Sequence, residues 1–296
     1  MENIIKVSVA MATWNGEQYL AQQLDSILAQ TRKPDELIIC DDASQDGTVE
    51  LLTEYALRHP EIHLICNEQN EGINRNFRKA LSLCTGDLIF ISDQDDIWAQ
   101  NKLALMLEAS TDTALIYSDA KVIDEMEQVI CESEIRFHRT HPVQGRPTSS
   151  LLASNSVSGH NLAAHKSVVD AFLKTEMPDV LLYDHWLALI ASCQGEIRFI
   201  PAQLCSHRIH QSNAHNNLTK PKPKKTRRLG EWIVVADYLG KYASTEAAIF
   251  SRYYCLRAMK RWRLWSTLWL VILTFASREV ASQGNLKLML KKAIKI

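Results

Sequence analysis

The 296 residues exceed one average domain but fit one large α/β domain with an appendage, and 46% apolar with 23% charged residues is ordinary for a soluble globular protein. Seven cysteines without a CxxC pair argue against a disulfide framework or a zinc site and for reduced thiols in a cytosolic compartment. The net charge of −1 hides two halves of opposite sign: 17 Lys/Arg against 4 Asp/Glu from Lys220 onward, and 16 against 30 before it.

The chain begins MENIIKVSVAMA, where Lys6 interrupts the apolar run and no small-residue cleavage site follows, so residues 5–13 read as a first strand and not as a signal peptide. Next, Tyr19, Leu20, Leu24, Ile27 and Leu28 recur at helical spacing. ELIICDD is a short apolar run ending in acid. DGTVELLTEYALRH is helical in pattern, HLICN a strand, INRNFRKALSLC a helix, DLIFISDQDD a strand and NKLALMLEAS a helix, and ALIYSD closes the series. Short apolar runs alternating with helices of this length predict crossover units and a mostly parallel sheet. Ligands of such sheets collect beyond the carboxyl ends of the strands. There the polar residues fall: Thr13–Trp14–Asn15, Asp41–Asp42, Asn67 and Asp93–Asp95–Asp96.

Three carboxylates within four positions repel one another unless a hard divalent cation sits among them. Mg²⁺ or Mn²⁺ takes oxygen ligands and commonly bridges one or two carboxylates to substrate phosphates. The alternative is a helix N-terminus, with Asp95 or Asp96 capping the following helix. In CDDASQDGT, Asp46 reads as part of a turn opening the next helix. An Asp at a strand end, as at Asp41 and Asp42, can accept a hydrogen bond from the imide N–H of uracil or thymine.

VSVAMATWNGEQYLAQQLDSILAQT, ELIICDDASQDGT, NEGINRNFRKAL and GDLIFISDQDDIW, in this order and spacing, resemble the family 2 inverting glycosyltransferases of GT-A fold over roughly the first 125 residues. The resemblance implies an α/β fold of GT-A type and a nucleotide-sugar donor. Ala12 and Thr13 at the end of the first strand would border the base and Asp42 would read it, with Asn15 and Asp41 in the same donor site. Asp93 and Asp95 would form the metal- and diphosphate-binding DxD pair, with Asp96 beside them. SDQDDIW with the later DHW looks most like members that transfer rhamnose or related sugars in bacterial polysaccharide assembly.

Inverting transfer is one in-line displacement and needs a base separate from the metal ligands. In VLLYDHWLALIASC the lone Asp184 stands among apolar neighbours, which raises a carboxyl pKa as a base requires. The family usually has Glu–Asp here, and this chain has Tyr183–Asp184. A solvent-facing Asp is the alternative. The resemblance places Gly159, His160 and Asn161, with Trp186 of DHW, on the acceptor side; a satisfied core or turn histidine is the alternative for His160. In SHRIHQSNAH, His207, Arg208 and His210 match a family pattern that contacts the diphosphate (Arg208) or metal (His210); a solvated loop is the alternative.

The implied organisation is a catalytic domain over residues 1–219, split into a nucleotide-sugar part (1–125) and an acceptor part (126–219). A basic linker (220–230) and a helical region (231–296) follow. Trp262, Trp265 and Trp269 among Arg and Lys suit an interfacial helix on an anionic inner leaflet, an ordinary helix covering the catalytic domain being the alternative, while LWLVILTFA is too short to span a bilayer. No recognition motif suggests nucleic acid. Processive synthases of the family carry QxxRW, and here Arg261–Trp262 lacks the Gln. The expected activity is transfer from a nucleotide-diphosphate sugar to a glycan or lipid-linked glycan, at the cytoplasmic face of the membrane. A nucleotidyltransferase or a non-catalytic binding subunit are the rivals; absence of GxGxxG after the first strand disfavours a dinucleotide oxidoreductase.

Overall fold

The computed structural model describes residues 5–178 and 181–210. The basic linker and the Trp-rich region expected beyond it lie outside the described residues.

Four parallel strands form the first half of the sheet: β1 (Val7–Thr13), β2 (Glu36–Asp41), β3 (Ile62–Cys66) and β4 (Leu88–Ser92). They are joined by α1 (Glu17–Leu28), α2 (Thr48–Arg58) and α3 (Ile73–Leu83). The second half adds β5 (Ile97–Trp98), α4 (Lys102–Glu108), β6 (Leu115–Ile123), β7 (Val129–Cys131), α5 (Glu134–His138) and α6 (Thr148–Ala153). A 3₁₀ turn (Gly159–Asn161), β8 (Leu162–His165), α7 (Lys166–Leu173), α8 (Tyr183–Gln194) and β9 (Ile197–Arg208) complete it. The sheet runs β3-β2-β1-β4-β8-β6-β9-β5, with β7 hydrogen-bonded to β6 off this path. β8 is antiparallel to both β4 and β6, and β6 and β9 are parallel. The expected mostly parallel α/β sheet is therefore present.

The inner strands are continuous apolar runs because both faces are covered. Ala10, Ile38, Ile89 and Ile91 face a core shared with α3, α7 and α8. Val9, Met11, Leu37, Ile39 and Phe90 face the opposite core with α1, α2 and α4. This period-2 alternation fixes register, since a one-residue slip would exchange the faces. Register pairs Thr13 with Asp41 and Met11 with Ser92. The loops after β1, β2 and β4 thus open at one edge of the sheet.

The capping reading of Asp95 and Asp96 fails: α4 starts at Lys102, its N-cap is Asn101, and the acids lead into the short strand β5. Asp46 does open its helix, its Oδ1 accepting from the Thr48 N–H at 3.1 Å and the Thr48 hydroxyl at 2.5 Å. The strand expected at ALIYSD extends to Ile123, because β9 pairs along its length with register shifts near Asp119.

Candidate active site

Beyond the ends of β1 and β2, Asp41 and Asp42 are buried acids whose oxygens organise loops. Asp41 accepts from the hydroxyl of Thr13 (2.8 Å) and from the N–H and hydroxyl of Ser44 (2.9 and 2.6 Å). Asp42 accepts from Asn67 Nδ2 (2.9 Å) and from the N–H groups of Glu71 and Gly72 (both 2.8 Å). These bonds pin the loop between β3 and α3 against β2. A carboxylate has about four acceptor positions, so each acid retains capacity for one more donor. Asn15 adopts φ 47°, a left-handed conformation Asn tolerates, and its Oδ1 accepts from the Gln45 N–H at 2.8 Å. Ala12 and Thr13 end β1 alongside.

The acids after β4 separate into different environments. Asp93 is partly open, its side chain 33% exposed. Burial pushes its pKa up to about 7, with Asp96 and Asp95 adding to the rise and His160, 3.9 Å away, opposing it. The Asp95 Oδ2 lies 2.8 Å from Nε2 of His210, which packs against the ring of Tyr19. Asp93, Asp95 and His210 offer donor atoms of the kind a hard divalent cation takes, and a cation held there would favour the charged form of Asp93 against its burial.

Asp96 is fully buried, and the structure gives it work other than an open ligand. Its Oδ1 accepts from the Arg208 N–H (3.1 Å) and lies 3.2 Å from His207 Nδ1. Burial alone would raise its pKa, but His160 and His207 hold it well below the ordinary carboxylate range. His160 in turn sits 3.2 Å from Glu134. Burial opposes its charge, yet Glu134, Asp96 and Asp93 raise its pKa to about 10. Glu134, which also accepts from Asn161 Nδ2 at 3.1 Å, is lowered to about 2, His160 overcoming the effect of burial. Buried Lys102 donates to the His160 carbonyl at 2.7 Å. Although ligand atoms of Asp96, His160 and His207 lie within 4.8 Å of one another, their charges are already matched as ion pairs.

On the other side of Asp93 stands the start of α8. Tyr183 stacks on Phe77 at 3.9 Å and its hydroxyl faces Asp93. Gly159 is required by this packing: a Cβ there would lie 2.2 Å from the Tyr183 oxygen. Asp184 follows, its carboxylate accepting main-chain N–H groups of His185 (2.5 Å) and Gly159. Burial raises its pKa to about 6 in spite of these donors. That is the environment the apolar neighbours of Asp184 predict.

Three expectations change. Trp186 does not line an acceptor surface; it is fully buried in the helix-packed core, its indole N–H donating to the Thr175 hydroxyl at 3.0 Å. His160 and Asn161 are buried behind Asp93 with Glu134, so they shape the site from within and offer no surface to a sugar. The guanidinium of Arg208 is buried over the ring of Tyr19 and donates to the Asp95 carbonyl (3.0 Å) and Gln22 Oε1 (2.6 Å), tying β9 to α1 and to the acid loop. Glu134 escaped sequence reasoning: it opens a five-residue helix too short for periodicity, and its one local signal is the preceding Ser133, whose hydroxyl caps that helix by accepting the Arg136 N–H at 3.2 Å. Gln94 also escaped, as the unconsidered middle of Asp93–Gln94–Asp95.

Residues 8–156 match the family model described as glycosyl transferase family 2. An uncharacterised protein of Mycobacterium tuberculosis is 27% identical over 213 residues, 69% of this chain, which spans 59% of that relative's length. The Escherichia coli UDP-Glc:alpha-D-GlcNAc-diphosphoundecaprenol beta-1,3-glucosyltransferase WfgD is 25% identical over 240 residues, 79% of this chain and 86% of WfgD. The structure of S. aureus TarS 1-349 in complex with UDP-GlcNAc superposes with a TM-score of 0.64 at 14% identity, over 91% of this chain and 79% of the TarS 1-349 chain, a likeness of fold.

Proposed function

The chain belongs to glycosyl transferase family 2, and on that premise we propose that it is a metal-dependent inverting transferase that moves a sugar from a nucleotide-diphosphate donor to a glycan or lipid-linked glycan in bacterial surface polysaccharide assembly. The observation that carries this reading is the division of labour among its carboxylates. Asp93 and Asp95 follow the end of β4, where a diphosphate would lie, and His210 stands 2.8 Å from the Asp95 carboxylate. Asp184, its pKa raised to about 6, approaches from α8 and shares no ligand position with them. Asp184 takes the proton of the acceptor hydroxyl as its oxygen bonds to the anomeric carbon, while the opposite bond to the diphosphate breaks. Mg²⁺ or Mn²⁺ held by Asp93, Asp95 and His210 would neutralise the departing diphosphate. Asp42 and Asp41, each with acceptor capacity left, would meet the imide N–H of a pyrimidine base. The UDP-sugars in the names of WfgD and the TarS complex favour uridine. The SDQDDIW and DHW stretches favour rhamnose or a related sugar.

No helix among the described residues is long and apolar enough to cross a membrane. The proposed site of action is the inner membrane face, reached through the Trp- and Arg-rich residues beyond 231. The test is a binding screen of UDP, dTDP, GDP and CDP with and without Mn²⁺ or Mg²⁺. Metal-dependent binding of one nucleotide, lost in Asp95→Ala, is expected; binding of none would overturn the reading.

A further inference from the structure

The side chain of Gln94, between Asp93 and Asp95, reaches across to the loop after β1 and holds one residue, Trp14, by both its main-chain N–H and its carbonyl. Its Oε1 accepts the Trp14 N–H at 2.8 Å, and its Nε2 donates to the Trp14 carbonyl at 3.1 Å. A side-chain amide used this way imitates a neighbouring strand, fixing both the separation and the rotation of the two loops. Gly16 makes room for it: a Cβ there would lie 2.5 Å from Oε1 and 2.6 Å from Cδ of Gln94. The partners come from different ends of the site. Trp14 lies between Thr13, which is bonded to Asp41, and Asn15, which is bonded to Gln45, whereas Gln94 is flanked by the two acids assigned to the metal.

We propose that Gln94 is a positioning residue that couples the nucleoside end of the donor site to its metal–diphosphate end. The inference rests on the glycosyltransferase reading above. With the clamp closed, a cation that draws Asp93 and Asp95 to one position also sets the Trp14–Asn15 loop, so metal and nucleotide each favour the other's arrangement. The clamp is not needed to hold the loop in place, because the Asn15 N–H donates to Ser44 Oγ (2.9 Å) and the Gly16 N–H to Thr48 Oγ1 (2.8 Å) independently of it. Loss of Gln94 therefore removes communication and leaves both halves formed.

The experiment is calorimetric titration of the full chain with UDP, dTDP and GDP, with and without Mn²⁺, for wild type, Gln94→Ala, Gln94→Met and Gly16→Ala. Wild type should show a metal-induced gain in nucleotide affinity. In the Gln94 variants that gain should shrink roughly tenfold, with metal-free affinity little changed. Gly16→Ala, which displaces the amide while keeping Gln94, should reproduce the effect. Equal loss of affinity with and without metal, or an unchanged gain in folded variants, would overturn the coupling. Wild type that binds no nucleotide under either condition would instead overturn the glycosyltransferase reading on which the inference stands.

Discussion

The imidazoles of His160 and His207 lie face to face, their centroids 4.4 Å apart and their planes 10° from parallel. Both rings have raised pKa values although burial and, for His207, the neighbouring His160 charge oppose this. Carboxylates make the stack tolerable: Glu134 stands at 3.2 Å from His160, and Asp96 at 3.2 Å from His207. The histidines therefore tie the helix α5 to the loop after β4, through charges that exist only because the others do.

Glu134→Gln should break that balance. It leaves two stacked rings sharing fewer counter-charges in a buried place, a loss of about 3 kcal/mol for a broken buried pair. Urea denaturation at neutral pH reads it as a lower midpoint with unchanged slope. A variant as stable as wild type would show that Glu134 is a bystander. Replacing Glu134 and His160 together should cost less than the sum of the two single changes.

Gly159→Ala tests the packing of the 3₁₀ turn against Tyr183 at the start of α8. Tyr183 cannot swing away, since its ring is stacked on Phe77 and buried. The added methyl must displace the 3₁₀ turn or the tyrosine, at about 1–3 kcal/mol. Adding Tyr183→Phe removes the nearest atom, at 2.2 Å, but leaves the ring carbon at 2.9 Å, so it should restore only part of the melting temperature. Full restoration, or none, would contradict this packing.

The first half of the fold was legible because its strands are buried on both faces and its helices follow with short loops. Asp41, Asp42, Asp93 and Asp95 could be seen for the same reason: a strand end is a visible place in a sequence. The second half was not. β8 enters between β4 and β6 from far along the chain, and β5 is two residues long, paired to β9. The partnership of Asp96 with His207 joins positions 111 residues apart, and that of Glu134 with His160 has no local pattern. Trp186 stands in the core because it shares the apolar helical face of Leu187, Leu189 and Ile190, whereas its expected place on the acceptor side came from the resemblance alone.

At the opposite end of the sheet, Glu36 offers a pH test free of the active site. Burial raises its pKa, but donors outweigh it: the Ser8 hydroxyl at 2.5 Å, the Thr85 N–H at 2.6 Å and hydroxyl at 2.9 Å, and Lys6 Nζ at 3.3 Å bring it down to about 2. A depressed folded pKa contributes stability above the ordinary value of 4.5 and loses it as pH falls toward 2. Glu36→Gln should be less stable at pH 7 by about 2 kcal/mol, the scale of hydrogen bonds to a charged group. The gap between wild type and variant should close on acidification below the ordinary value, with nucleotide binding untouched at neutral pH. A gap independent of pH would mean that shape, not charge, is lost.

Asp184→Asn separates catalysis from binding. Asn keeps the volume of the side chain and one oxygen to accept the N–H groups of His185 and Gly159, but it cannot take a proton. Transfer should fall by about 10²–10⁴-fold while metal-dependent nucleotide affinity stays within a few-fold of wild type. Wild-type kcat should also decline as pH is lowered through the raised carboxyl pKa, because only the deprotonated form accepts the hydroxyl proton; the residual activity of the variant should lack this limb. A variant that keeps full transfer would move the base elsewhere, and one that loses nucleotide binding as well would place Asp184 in the donor site.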